Sequence, residues 1–457
     1  MSGSELNYIP NRTAVFFSKL NKIWSITGLP NLWLVDKNNN KISRYFHGII
    51  TVFIYVLVLI EFGSFFTQHR LTEKQKNDRL IFNFAHPVLL MYFINLTYYK
   101  TNIKNLLLML CITLKKAHND LDVEMKMIRK GSFYSIFFSL TACGTLILYG
   151  FDSLMQVIHT GGSFTTVITA WPDIEDSSLT ASVVRVISYV GWWVFTIRVM
   201  AMFTLLIMTT VLLSHQYKNL QNYFYRLNDI FQDDTVEVNH EEKELKYLEA
   251  LKVGLKLHSD TLWCTRQCQE IFSLMYSGQI LVNVFVLCVL MLQMMNSERT
   301  LVNAVTIVCL GITTLGSSGF IMWNAGDITF EAALIPTAIF SSGWHHCRGA
   351  TSAKVRKLLI TAMIQGQRNT LTTAFKQKIR PETIVGMMLS SKAAWDATSK
   401  FMTEVLQDLR RTEKQREGRK QWFRIQDGRA AANAFSHEVM PNGGSTGKQR
   451  QKSDRGF

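Results

Sequence analysis

The familiar signatures of enzymes are missing from this chain. It has no phosphate-cradling glycine loop, no His-Glu-x-x-His and no nucleophile elbow. No enzymatic activity is therefore expected. Its seven cysteines are scattered singly, and none falls in the connections read below as external. That excludes an extracellular disulfide framework. Cys264 and Cys268 stand one helical turn apart with His258 before them, but no fourth ligand completes a zinc set. His345-His346-Cys347 does no better, so neither metal nor cofactor is expected. No cleavable leader is expected either. The first apolar run begins near Tyr45 without a cleavage site and reads as a retained anchor. Acidic residues are the scarcer charge, 34 against 49 basic, for a net charge of +15.

What the chain has is long apolar runs. Six blocks can each cross a bilayer core, which needs roughly 20 mostly apolar residues. They are Tyr45–Phe66, Leu80–Tyr99, Phe133–Met155, Val183–His215, Phe272–Met295 and Thr300–Trp323. The fold class is thus all-α, a polytopic membrane helical bundle. The basic residues between blocks are lopsided. The amino-terminal segment and the second, fourth and sixth connections carry 25 of them, and the other connections only five. The loop from Gln156 to Ser182 has none, but holds Asp173, Glu175 and Asp176. Basic segments stay cytoplasmic, which puts the amino terminus inside. A G-protein-coupled receptor needs the opposite orientation. The positive charge therefore reports topology, and no nucleic-acid partner is expected.

Three regions follow: a cytoplasmic segment over 1–44, the bundle over 45–395 and a polar, basic tail over 396–457. The fourth-to-fifth connection places Leu245, Leu248, Leu251, Leu255 and Leu262 at helical spacing, so an amphipathic helix should run straight into the fifth span. Asp233, Asp234 and Asn239 mark a break before it. A seventh span would lie over 371–395. Its first half holds Lys376, Lys378, Arg380 and Pro381, and its clean apolar core is only Thr383–Leu389. Pro87 and the run Gly316-Ser317-Ser318-Gly319 are candidate kinks or close-packing points.

Ionisable side chains inside a bilayer are costly. Arg198 lies mid-block in the fourth run and should face the bundle interior, with Glu61, Asp152 or backbone carbonyls as its partner. Arg185 is close enough to an end to snorkel. The outer halves of spans two, three, four and six contain Phe84, His86, Tyr149, Tyr189, Trp192, Trp193, Val305 and Thr306. Aromatics with a few polar groups suit a small, mostly apolar ligand. Ordinary packing and an interfacial aromatic belt are the alternative for each residue singly.

Several stretches together resemble the insect odorant receptors. "DITFEAALIPTAIFSSGWHHC" is similar to that family's segment after the sixth span, with Glu331, Ala338, Phe340 and Trp344 at matching positions. "VRKLLITAMIQGQRNTLTTAF" resembles its helix leading to the seventh span, through Arg356, Met363, Gln367 and Arg368. "GLPNLWLVDKNN" and the inverted topology agree, over about residues 15–380. The resemblance implies a ligand-binding subunit of an odorant-gated cation channel. It would be a heteromer, a tetramer, with the shared insect co-receptor. It would lie in the plasma membrane of olfactory neuron dendrites, take a volatile small molecule in the outer bundle and pack cytoplasmic helix ends between subunits. The ending departs from the family: its closing Thr/Ser-Tyr-Ser motif is missing and a basic tail of about 60 residues follows. No pore residue carries over for that reason. A gustatory receptor of the same superfamily would end in Thr-Tyr-x5-Gln-Phe, which is not found. A transporter would show inverted halves with broken helices, which are not evident.

Overall fold

The computed structural model describes residues 11–33, 41–232, 239–296 and 301–373. The chain divides after Phe375, and the whole of Lys376–Phe457 lies outside the described residues. So do the break expected at Asp233 and Asp234, most of the seventh-span region and the tail.

Every described element is helical. In order they are α1 (Arg12–Ile26), α2 (Lys41–Thr67), α3 (Glu73–Tyr98), α4 (Lys100–Leu108), α5 (Leu114–Ala117), α6 (Leu121–Thr160), α7 (Leu179–Arg226), α8 (Asp229–Gln232), α9 (His240–Asn296), α10 (Leu301–Ala333), α11 (Ile335–Phe340) and α12 (Ser352–Thr373). A π-helical turn over Met109–Thr113 joins α4 to α5. Among the described residues, six helices are long and apolar enough to cross a membrane. The chain is a multi-pass membrane protein.

Local chemistry sets the helix starts. Asn11 accepts from the Ala14 N–H at 2.6 Å, and Ser178 from the Ala181 N–H at 3.2 Å. Thr72 and Gln75 form a reciprocal capping box at the head of α3. Pro87 leaves α3 unbroken from Glu73 to Tyr98, and the Gly316–Gly319 run leaves α10 continuous.

Helix length explains the rest of the architecture. α9 has 57 residues and α7 has 48, so at about 1.5 Å per residue they run well beyond a bilayer core of about 30 Å. The expected amphipathic helix and the fifth span are therefore one element. The bundle has a loop end, where the chain turns between spans, and a stalk end, where α7 and α9 continue together. Every residue of α7 from Ala201 to Tyr217 is buried. An apolar helix buried all round is enclosed by protein, here by α6, α9 and α10. By contrast Ile49, Val52, Val56 and Leu59 of α2 stay exposed along one face, as lipid contact requires.

Polar ties hold the stalk end. Asp120 caps α6 through the N–H groups of Asp122 and Val123 and accepts from Asn222 and Arg226 of α7 at 3.1 and 3.0 Å. Burial alone would raise its pKa. The donated hydrogen bonds and the Arg226 charge outweigh this and hold the carboxyl below its ordinary value. Glu244 of α9 accepts from the N–H groups of Arg348 and Gly349 and from the Thr351 hydroxyl, at 2.6, 2.8 and 2.6 Å. That carboxylate ties α9 to the connection that leads into α12.

Candidate functional site: an aromatic cluster at the loop end

Residues four apart on α3 share a face, and Asp78, Phe82 and His86 form such a row. Phe82 is its centre. Its ring stacks on His86 at 5.3 Å and meets Trp192 of α7 at 4.8 Å and Tyr149 of α6 at 5.7 Å, both edge-on. Tyr149 and Trp192 touch at 5.4 Å. Phe195, one turn further along α7, closes on His86 at 4.8 Å. Each such aromatic pair contributes about 0.5–1.5 kcal/mol beyond its burial. Phe82, Tyr149 and Trp192 are all buried.

Polar groups sit at both ends of this cluster. His86 Nδ1 lies 2.6 Å from Glu61 Oε2 of α2, both side chains buried. At the other end Asp78 accepts from the Tyr149 hydroxyl and from Gln293 of α9, each at 3.2 Å. Lys74 is paired with Asp152 close by. A narrow cleft lined by Lys74, Asp78, Tyr149, Asp152, Thr165 and Thr166 reaches the cluster from the loop end. Its interior is about the size of one water, so the aromatic rings are closed on one another.

The long loop after α6 covers this end. Gly161 ends α6 at a positive φ of 64°, as a helix stop of this kind favours. The chain then folds back on α2. The Ala170 N–H donates to Ile60 O at 2.8 Å, and Gln68 donates to Ala170 O and Pro172 O. Arg185 holds the loop's far side, donating to the carbonyls of Asp173 and Asp176 at 2.6 and 2.7 Å. Those bonds account for its burial near the start of α7.

Of the residues expected at the site, His86, Tyr149 and Trp192 meet in the cluster. Tyr189 borders it, 6.5 Å from Trp192 and 6.3 Å from Trp193, with its hydroxyl on Leu146 O at 2.9 Å. Gly150 permits this approach, because a Cβ there would overlap the Tyr189 hydroxyl. Phe84 goes elsewhere: its ring stacks on Phe285 of α9 at 4.0 Å. Val305 turns outward, while Thr306 beside it is buried on α10. Phe82, Glu61, Asp78, Phe195 and Gln293 were not among the expected lining residues. The four-residue spacing of Asp78, Phe82 and His86 was the available signal for two of them.

Arg198 belongs to a different place. It lies about 28 Å along α7 from Leu179, roughly one bilayer thickness from the loop end. The fourth apolar block is longer than a crossing, which is why its midpoint is not the membrane's. The guanidinium donates to the Thr51 hydroxyl at 2.8 Å and to His47 O at 3.3 Å, at the start of α2. Neither Glu61 nor Asp152 is its partner. It also packs against Gly28, whose φ of 95° and whose space both exclude a side chain.

A family model described as 7tm odorant receptor matches residues 75–380. No curated protein sequence matches the chain. Among solved structures, the insect olfactory receptor OR5 from Machilis hrabei aligns with a TM-score of 0.62 at 11% identity, covering 77% of this chain and 89% of that one. The same receptor in complex with eugenol aligns with a TM-score of 0.62 at 10% identity over the same shares. At such identities the likeness is one of fold.

Proposed function

The chain belongs to the odorant receptor family, and from that premise we propose that it is the ligand-binding subunit of an odorant-gated cation channel. Its site is the aromatic cluster of Phe82, Tyr149, Trp192 and His86. Its ligand is a volatile, small, mostly apolar molecule, and its partner is the shared insect co-receptor in a heteromeric, tetrameric assembly. It acts in the plasma membrane of olfactory neurons, with the stalk end in the cytoplasm.

One observation carries the reading. Three spans at the loop end converge on aromatic rings with polar groups at either side, beneath a loop that is tied down. Such a lining is apolar with a few convergent polar atoms, the usual make-up of a small-molecule site. The OR5 complex with eugenol shows that a receptor of this fold takes a small aromatic ligand. The stalk end supplies the surfaces for subunit packing, and its excess of basic residues supports a cytoplasmic placement.

The test is electrical. Cells expressing this chain with the co-receptor should pass cation current when a volatile panel is applied. Cells expressing either chain alone should not respond in the way the pair does. Silence of the pair across a broad panel, with both chains labelled at the surface, refutes the proposal.

A further inference from the structure

The packing of the bundle accounts for only one face of α1. Ala14, Phe17, Asn21 and Trp24 are buried and recur at three- and four-residue steps, the pattern of a single helix face. Arg12, Val15, Lys19, Lys22 and Ile26 recur at the same steps on the opposite face, and all five are exposed, as is Ile23 beside them. An open groove between Arg12 and Lys19, floored by Val15 and Phe16, belongs to this face. α1 contains no acidic residue, and none of its three cations pairs with a carboxylate among the described residues. Glu124 of α6, which meets the head of α1, is engaged inward. It accepts from the Thr13 N–H and hydroxyl at 2.7 and 2.6 Å and from Asn119 at 3.0 Å.

The two ends of α1 fix its depth. Gly28, just past its last turn, packs against the Arg198 guanidinium, which lies roughly one bilayer thickness from the loop end. Asn11 at its head donates to Cys111 O at 2.7 Å, and Thr13 is tied to Glu124, about 38 Å along α6 from Tyr149. α1 therefore starts beyond an apolar core of about 30 Å and ends at its edge. Ile23 and Ile26, 57% and 80% exposed, lie at that edge. Lys22, Lys19 and Arg12 lie successively farther from it. Water gives two bare isoleucines no partner, and hydrocarbon gives three cations none. The headgroup layer between them suits both.

We propose that this face of α1 binds anionic phospholipids of the leaflet on the stalk side. Lys19 and Lys22, one turn apart, hold the headgroups, while Ile23 and Ile26 lie along the acyl chains. Arg12 and the groove beside it extend the basic surface away from the core. Each Lys or Arg so placed favours an anionic lipid over a neutral one severalfold. An acidic soluble protein would match the cations and leave the isoleucines bare. A second apolar helix would cover the isoleucines and strand the cations.

The inference stands apart from the receptor reading, and its test needs no odorant. The full chain is reconstituted in phosphatidylcholine nanodiscs with a small, fixed fraction of a phospholipid carrying a diazirine on its acyl chain, with either a serine or a choline headgroup. Mass spectrometry then measures labelling of α1 relative to the face of α2 that carries Ile49, Val52, Val56 and Leu59, which is exposed to bulk lipid. That ratio should be about fivefold higher with the serine lipid. Arg12→Gln, Lys19→Gln and Lys22→Gln together should bring the two lipids level. The same change at Lys246, Lys256 and Lys357, exposed on α9 and α12, should leave the preference intact. Equal labelling of α1 by both lipids in the unaltered chain overturns the inference, whether or not the variants fold. So does an unlabelled α1 beside a labelled α2, which would mean that protein or water covers this face. A preference that survives the α1 changes, or that is lost equally in the α9 and α12 variant, overturns it as well.

Discussion

At the scale of single residues, the site depends on which way α3 is turned. Phe84 and Phe82 are equally aromatic and two residues apart, so they lie on opposite sides of the helix. Composition cannot choose between them. The buried row Asp78, Phe82 and His86 does choose, because polar groups recur with the aromatic at one helical interval. The partners of that row lie 25, 71 and 215 residues away in the chain. Those distances are why Glu61, Tyr149 and Gln293 could not be paired by local pattern. Asp120 offers a separate residue-scale prediction. Its folded-state pKa is lowered, so its stabilisation is complete above the ordinary carboxylate value of about 4 and is lost as pH falls below it. Asp120→Ala should cost about 1–2 kcal/mol near neutrality. Thermal unfolding of the detergent-solubilised variant and parent should show a gap that narrows below pH of about 4. A gap of constant size would contradict the account.

At the scale of elements, period and length were legible and depth was not. The leucine spacing from Leu245 to Leu262 identified a helix that is indeed continuous with the fifth span. The fourth apolar block looked like one crossing because a helix enclosed by protein and a helix enclosed by lipid have the same composition. Only packing separates the segment Ala201–Tyr217, buried on every side, from the part exposed to lipid. Arg198 moved with that distinction, from mid-block to the level of Thr51. The junction of α9 with α12 makes the element-scale prediction. Glu244→Ala strands two backbone N–H groups and one hydroxyl, each costing about 1–3 kcal/mol if it stays buried and unpaired. Limited proteolysis should then cut the Arg348–Thr351 region faster than in the parent. An unchanged cleavage rate would show that Glu244 does not hold α12.

At the scale of the whole molecule, charge asymmetry and six apolar blocks were enough to define a membrane bundle, and ordered motifs were enough to point to the family. The cover over the candidate site was not legible at this scale, because it is made by the loop from Gly161 to Ser178 folding back on α2. Nothing in that loop's composition announces its contacts with Ile60 and Gln68. Orientation is the prediction that belongs here. An epitope tag ahead of Met1 should be stained only after cells are permeabilised, since the basic stalk end is expected inside. Staining of intact cells would reverse the topology, and with it the assignment of the aromatic cluster to the outer half of the membrane.

The account rests most on the claim that ligands are read by the rings around Phe82. The direct measurement is the rank order of current responses to a volatile panel, recorded from the parent and from Trp192→Ala at matched surface density. Removing that ring opens the cluster and withdraws one aromatic face, so the order should change, with bulkier ligands gaining on smaller ones. An identical order in the two receptors would place ligand recognition somewhere else in the molecule.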